Sequence, residues 1–286
     1  RTDPGVLVVE DVHWIDPVSE AMLVEFAAIL PQTPIMLIAT YRNEYQGALA
    51  THPSGQKVAL APLRVEQAAD LLDNLIGTHP SAAEVKTRIA RRAAGNPFFT
   101  QELVRDLAER STFSGRPGSY VVQDDSIEIG VPPTVQAAIA ARIDRLNPVA
   151  KRTLNAAAVL GARFDAAVLR RLLDDVDLDT PISAELVDQV AYTPRAAYAF
   201  RHPLIRDVAY ESQLAVDRAE LHRRVARAIA DDDTDSADRN AAEIADHLEL
   251  AGDLVDAFDW HMRAGDWLAT RDIEAARSSW RRARDV

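Results

Sequence analysis

The chain has 286 residues, of which 48% are apolar and 27% charged, which is typical of a globular protein with two or three domains. The absence of cysteine excludes disulfide frameworks and thiolate metal sites, and the net charge of −12 disfavours general polyanion binding because an acidic surface repels phosphates. No run of about 18 uncharged apolar residues and no charged-then-apolar leader is readable, so we expect a cytoplasmic protein without a membrane-spanning segment.

Residues 1–61 have the pattern of a parallel α/β unit. The uninterrupted apolar runs at 6–9 and 35–39 are typical of strands that are buried on both faces of a parallel sheet. Between them, apolar residues recur at three-to-four spacing and predict an amphipathic helix over 19–30. A further short strand is predicted over 58–60. Alternation of strands with a helix indicates a doubly wound fold.

The sequence becomes helical after Pro62. Apolar periodicity predicts a helical subdomain over 62–110, and its three helices are expected at 65–76, 82–94 and 97–109. Residues 111–131 are rich in Ser, Gly and Asp and carry little periodicity, so they predict a linker or a weak hairpin.

Residues 132–230 predict a winged-helix-like domain, because a group of helices is followed by a strand-like segment. The predicted elements are helices at 134–146, 148–160, 165–173 and 182–190, a strand at 196–200, and a long helix at 204–230.

A faint internal repeat lies in residues 236–286. The segments Ala251-Gly252-Asp253 and Ala264-Gly265-Asp266 each follow about a dozen helix-forming residues, so both glycines are predicted to end a helix. Short helix pairs of this kind predict the start of TPR-like repeats.

The strongest chemical signal is the acid pair Glu10 and Asp11, which directly follows the first apolar run. A parallel strand that ends in two acids places them in the crevice where α/β sheets bind ligands. Phosphoryl-transfer sites use one such carboxylate to hold Mg²⁺ and a second to orient or deprotonate water. Taken alone, the two acids could also open the loop after an ordinary core strand.

The stretch Glu10-Asp11-x-His13-Trp14-x-Asp16 resembles the Walker B segment of STAND-type P-loop ATPases. It is most similar to that of bacterial LuxR-type regulators and adenylyl-cyclase-associated proteins. Further resemblances to this family follow in order and cover essentially the whole chain: Ile38-Ala39-Thr40-Tyr41-Arg42, Gly95-Asn96-Pro97-Phe98-Phe99 with Glu102-Leu103, and Phe200-Arg201-His202-Pro203-Leu204.

This resemblance implies a nucleotide site that takes ATP or ADP with Mg²⁺. It implies that Glu10 and Asp11 are catalytic and hold the metal through the nucleotide, and that Arg42 reports on the γ-phosphate. It also implies that Asn96 and Pro97 belong to a lid motif near the adenine. The implied fold is an α/β remnant of a P-loop NTPase with a parallel sheet, followed by a mostly α part with a helical lid, a winged helix and TPR-like helices.

The family's phosphate-binding loop has no counterpart in the chain. That loop requires Gly-x4-Gly-Lys-Ser/Thr, in which glycine backbone donors wrap the phosphates and the lysine reaches them. Neither Lys57, Lys86 nor Lys151 lies in such a pattern. We therefore expect a fragment that begins downstream of the loop, binds ATP weakly or not at all, and is at most a slow ATPase in its full-length parent.

The main expectation is a nucleotide-dependent switch in transcriptional regulation. It would meet protein partners at its helical repeats and DNA only through output domains elsewhere. One alternative is a non-enzymatic scaffold, and another is a winged helix that binds DNA through a basic stripe, which could equally be a solvated helix face. The stripe consists of Arg218, Arg223, Arg224 and Arg227. His13 is interpreted as a packed, hydrogen-bonded residue that fixes its loop rather than as a proton shuttle.

Overall fold

The structure is a computed structural model that describes residues 3–122, 132–192, 196–231 and 234–286. The chain folds into two compact units, Arg1–Ala61 and Pro62–Val286. In the described ranges no helix is long and apolar enough to cross a membrane.

The first unit contains a two-stranded parallel sheet and one long helix. Strand β1 (Gly5–Val9) pairs with β2 (Ile35–Ala39), and helix α1 (Pro17–Ile29) connects them. Asp16 begins the helix, since its Oδ1 accepts hydrogen bonds from the backbone N–H groups of the second and third helical residues at 3.0 and 2.9 Å. The parallel pairing confirms the strand order and direction predicted from the sequence.

The prediction that both strands are buried on two faces is wrong for this chain. Val6, Val8 and Met36 are 65%, 53% and 59% exposed. No third strand pairs with the sheet within the described residues. The predicted strand at 58–60 is also wrong, because this segment forms no strand.

The second unit begins with three helices and a hairpin. The elements are α2 (Val65–Ile76), α3 (Ala83–Ala93), α4 (Pro97–Glu109), β3 (Phe113–Ser114) and β4 (Val121–Val122). The helices pack around a core that includes Leu72, Ile89 and Leu103. The two short strands pair antiparallel, as the hairpin alternative predicted, and the remainder of that prediction, 123–131, lies outside the described residues.

The next part combines helices with a three-stranded antiparallel sheet in the order β5-β7-β6. Its elements are α5 (Val135–Asp144), α6 (Pro148–Leu160), β5 (Arg163–Asp165), α7 (Ala166–Leu172), α8 (Asp179–Ser183), β6 (Val187–Ala191), β7 (Ala197–Phe200), α9 (Pro203–Glu211) and α10 (Ala215–Ala230). Its core includes Ile139, Leu154 and Leu169.

Two predicted helices in this region are wrong. Residues 182–190 form the end of α8 and strand β6, because Val187 pairs with Phe200 of β7 and is fully buried. The predicted helix over 204–230 divides into α9 and α10, because Leu214 has extended backbone between them. The Gln213 side chain stabilises the break by donating to the backbone carbonyl of Asn155 at 3.1 Å.

The chain continues with α11 (Thr234–Arg239), α12 (Ala241–Ala251), α13 (Leu254–Leu268) and α14 (Ile273–Asp285). Gly252 follows α12 in the left-handed conformation with φ of 81°, as predicted. The prediction that Gly265 ends a helix is wrong, since it lies inside α13. A Cβ at Gly265 would lie 2.2 Å from Nε1 of Trp280, so glycine here allows α14 to approach closely.

Candidate functional site

The predicted acid pair lies at the carboxyl end of β1, and both residues are exposed. The backbone N–H of Asp11 donates to Oγ1 of Thr40 at 3.0 Å, and the N–H of Thr40 donates to the carbonyl of Val9 at 3.0 Å. Asp11 has a φ of 55°, a left-handed conformation that aspartate adopts more readily than most residues. Thr40 therefore holds the ends of the two strands together and fixes the backbone of Asp11.

Arg42 follows β2 and lies at the same edge of the sheet as the acid pair, because the two strands are parallel. It is exposed, and no hydrogen bond or ion pair to its guanidinium is found within the described part of the chain. The same holds for the carboxylate of Glu10. The sheet thus brings Glu10, Asp11 and Arg42 to one edge without internal charge partners for Glu10 and Arg42.

The loop after Arg42 is anchored on α1. The Tyr45 hydroxyl donates to Oε1 of Glu20 at 2.5 Å, and the backbone N–H of Ala48 donates to the same oxygen at 2.8 Å. Burial, with the hydrogen bond and negative charge of Glu20, raises the pKa of Tyr45 to about 12. Tyr45 therefore stays protonated at neutral pH and maintains this contact.

His13 is packed but is not hydrogen-bonded, contrary to part of its interpretation from the sequence. Its side chain is 10% exposed, and its Nδ1 lies 3.8 Å from Oδ1 of Asp11. Both ring nitrogens are buried and have no hydrogen-bond partner in the structure. An unsatisfied buried polar group costs stability, and none of the described residues meets the hydrogen-bonding needs of this side chain.

A cleft of about 840 Å³ borders β2. Its walls come from β2, the end of α1 and residues 49–52 and 54–58. None of the predicted site residues lines this cleft, so the cleft is not evidence for a nucleotide site.

The remaining predicted site residues, Asn96 and Pro97, lie in the second unit. Oδ1 of Asn96 accepts a hydrogen bond from the backbone N–H of Phe99 at 3.0 Å, and Pro97 is the first residue of α4. This is an N-cap followed by an N1 proline, which accounts for both residue types by helix formation alone. The ring of Phe98 stacks on that of His202 at a centroid distance of 3.9 Å, so two of the motifs quoted for the resemblance meet in space.

Sequence reasoning missed a buried ion-pair network between α4 and α5. Arg142 is 1% exposed and pairs with Glu102, which is 0% exposed, and its Nε lies 2.9 Å from Oε1 of Glu109. Nη2 of Arg145 lies 2.8 Å from Oδ1 of the fully buried Asp106. Because these charges are removed from water, breaking one of the pairs between the helices would leave a buried charge without a partner.

Sequence reasoning also missed a chain of polar rings that connects three helices. The Tyr210 hydroxyl on α9 lies 2.9 Å from Nε2 of His222 on α10, and Nδ1 of His222 lies 2.8 Å from Nδ1 of His247 on α12. Burial lowers the pKa of His222 to about 4, together with repulsion from two nearby arginines and from His247 when that ring is protonated. Burial lowers the pKa of His247 as well, so both imidazoles are neutral at neutral pH, with one ring donating to the other.

The basic stripe on α10 is largely engaged within the chain. Nε of Arg223 lies 2.7 Å from Oδ2 of Asp253, and Arg224 donates to the carbonyl of Leu172 at 3.2 Å. The guanidinium of Arg218 lies 4.8 Å from the ring centroid of Tyr210. These contacts disfavour the alternative in which the stripe contacts DNA phosphates.

Comparison with known proteins finds a matching family model and a curated relative. Residues 64–113 match a family described as a domain of unknown function (DUF8739). An uncharacterized protein of Rhizobium meliloti is 29% identical over 96% of this chain, and the match covers 27% of the relative. The chain thus spans about a quarter of that protein's length.

Among solved structures, a Signal Transduction ATPase with Numerous Domains (STAND) protein from Pyrococcus horikoshii, which has a tetratricopeptide repeat sensor, shares the fold. The match has a TM-score of 0.54 at 11% identity and covers 97% of this chain and 43% of the other. The chain therefore has the fold of part of a STAND protein.

Proposed function

We propose that this chain is part of a nucleotide-dependent signal-transduction ATPase of the STAND class that acts as a regulatory switch. The observation that carries the proposal is the placement of Glu10, Asp11 and Arg42 at the carboxyl edge of two parallel strands, the location at which α/β sheets bind ligands. The shared fold with a STAND protein over 97% of the chain supports the same class.

The residues at this edge suit a magnesium-bound triphosphate. Glu10 and Asp11 would hold the Mg²⁺ of the nucleotide, and Arg42 would present a planar, permanently charged group to the γ-phosphate. The metal would supply neutralisation of phosphate charge. Because none of the three lysines fits a phosphate-binding loop, sequence outside these 286 residues would have to provide that loop.

Several finer assignments belong to the same proposal. Residues 62–110 would form the helical lid, 132–230 a winged-helix domain and 236–286 the start of TPR-like repeats that bind protein partners. A role of Asn96 and Pro97 near the adenine is part of it too. The proposal also includes a cytoplasmic location. It further includes an output in transcription or cyclase regulation through domains outside this chain, as in LuxR-type and adenylyl-cyclase-associated proteins.

The experiment compares Mg-ATP binding by the longer protein with that of its Glu10→Gln, Asp11→Asn and Arg42→Gln variants, using isothermal titration calorimetry. Each substitution removes a proposed contact and is expected to weaken binding by about tenfold or more. Glu25→Gln, an exposed acid on α1, is the matched control for charge and should leave binding unchanged.

The isolated 286-residue chain is expected to bind Mg-ATP poorly. Micromolar binding by this chain would contradict the proposal that an external loop is needed. Equal affinity of the longer protein and all three variants would contradict the assignment of the acid edge.

A second candidate function is a scaffold for protein partners, and an exposed apolar stripe on α13 favours it. Leu254, Phe258 and Met262 recur every four residues and are 46%, 43% and 37% exposed. A scaffold predicts that Glu10→Gln leaves partner binding intact, whereas a nucleotide switch predicts that the same substitution alters it. Partner binding with and without ATP separates the two functions.

A further inference from the structure

A second cluster of metal-ligating groups lies far along the chain, between α12 and α13. Asp246 and Glu249 are three residues apart on α12, and His261 lies on α13. One ligand atom from each residue lies within 4.8 Å of the other two. A carboxylate pair at this helical spacing faces one side of the helix, which is the side packed against α13.

The histidine of this cluster is almost fully buried. The His261 side chain is 1% exposed, and its Nε2 lies 3.3 Å from Oε2 of Glu249, while its Nδ1 is buried with no hydrogen-bond partner. The contact to Glu249 is long for a strong hydrogen bond. The ring therefore meets Glu249 through Nε2, while Nδ1 is left without a partner among the described residues.

One cation already lies against the carboxylates. Arg282 of α14 pairs with Asp246, and its Nη2 lies 2.7 Å from Oε2 of Glu249. A single guanidinium thus faces two carboxylates, which leaves the cluster with excess negative charge when both are ionised. The Arg282 side chain is 45% exposed and long, so it can move into solvent without disrupting a core.

We propose that Asp246, Glu249 and His261 form a binding site for a first-row divalent cation, best satisfied by Zn²⁺. Two carboxylate oxygens and one imidazole nitrogen match the ligands that zinc uses, and three protein ligands leave a further position open. Asp246 and Glu249 are 46% and 37% exposed, which gives the ion a path from solvent. Arg282 competes with the ion, because both bind the same carboxylates.

A plain ion-pair network makes a different prediction. If Arg282 only stabilises the packing of α14 on α12, removing it should create no affinity for metal. If it competes with a cation, removing it should increase that affinity, because one positive charge leaves the site.

The test is calorimetric titration of Zn²⁺ into the tag-free chain, stripped with chelator. Wild type is expected to bind one ion, and Arg282→Gln is expected to bind it about tenfold more tightly or better. Arg277→Gln is the matched control, because Arg277 lies on the same helix and pairs with the exposed Glu274 at 3.0 Å. It removes the same charge without touching the cluster, so it should change affinity only slightly.

The ligands are tested by Glu249→Gln and His261→Asn in the Arg282→Gln background. Each is expected to weaken Zn²⁺ binding by about tenfold or more, and His261→Asn should also remove the visible absorption of bound Co²⁺. Because His261 is buried, circular dichroism confirms that its variant folds, and the half-exposed Glu249 gives an independent readout. Absence of one-to-one binding by both wild type and Arg282→Gln, or binding that neither ligand variant weakens, would overturn the proposal.

Discussion

In the described part of residues 1–61, the apolar side chains that are buried are Val12 and Ala27. In residues 62–286 the structure contains two large apolar cores, one among α2, α3 and α4 and one around α5, α6 and the antiparallel sheet. Both regions have regular helices and strands. They differ in whether the chain supplies a second layer for each apolar face.

The comparison shows what an apolar run predicts. The runs of β1 and β2 correctly predict parallel strands, but the exposed side chains of Val6 and Met36 show that a sequence suited to burial does not itself provide the covering layer. The second unit buries even charged groups such as Arg142. Stability should therefore depend strongly on residues in the second unit and weakly on those in the first.

The largest expected effect is that of Arg142→Ala in the second unit. It leaves the fully buried Glu102 without its closest partner, and we expect a loss of about 3–5 kcal/mol in the free energy of unfolding. Urea unfolding in a Trp14→Phe background measures this, because the remaining tryptophans all lie in the second unit. Arg277→Ala, which breaks an exposed pair, should cost less than about 0.5 kcal/mol. Equal losses for the two variants would contradict the comparison.

Acidification should destabilise the second unit through His222. Its pKa of about 4 in the folded state lies below the ordinary value of 6.5. The stability that the neutral ring contributes is therefore fully present above pH 6.5 and is lost as the pH falls toward 4. The expected loss is about 3 kcal/mol, since each pKa unit corresponds to about 1.4 kcal/mol.

Urea unfolding at several pH values tests this, with His222→Gln as the control that lacks the titrating group. The stability difference between wild type and His222→Gln should shrink between pH 6.5 and 4.5. A difference that is independent of pH would show that the His222 ring does not remain neutral in the folded protein. Arg206, Arg218 and His247 are the other charged or titratable groups near this ring.

Gly265→Ala should destabilise the contact between α13 and α14 by about 1–3 kcal/mol, although alanine favours helix formation. The added Cβ would collide with the Trp280 ring, whose Nε1 lies 2.2 Å from the ideal Cβ position. Thermal unfolding measures the loss. Combination with Trp280→Ala should make the glycine substitution neutral or stabilising, and persistence of the full loss in that background would contradict the steric explanation.

The smallest effect is expected in the first unit, where Val8→Thr should cost less than about 0.5 kcal/mol because Val8 is 53% exposed. The matched substitution Val187→Thr, at a fully buried strand position in the second unit, should cost about 1–3 kcal/mol by burying a hydroxyl. Urea unfolding followed by tryptophan fluorescence measures both losses. Trp14 reports on the first unit, and the other tryptophans, in a Trp14→Phe background, report on the second. An equal loss of stability for Val8→Thr and Val187→Thr would contradict the exposure of Val8, because it would mean that the sheet of the first unit is covered.

Much of the candidate site could be predicted because it depends on local order. Glu10, Asp11 and Arg42 follow two apolar runs, and parallel strands necessarily end at the same edge. The pair of Arg142 with Glu102 and the contact between His222 and His247 could not be predicted. Each joins residues at least 25 positions apart, and only packing of the helices determines which polar groups meet.

The sequence alone determined where α2, α4 and α6 lie, because apolar periodicity acts within a few residues and Pro97 and Pro148 mark the first positions of α4 and α6. The tertiary structure decided that 187–191 is a strand, that Gly265 continues a helix, and which apolar faces are covered. The physical reason is the distance along the chain over which each kind of interaction acts. Caps and periodicity act within a few residues, whereas strand pairing, close helix contacts and burial depend on what the distant parts of the chain place opposite each residue.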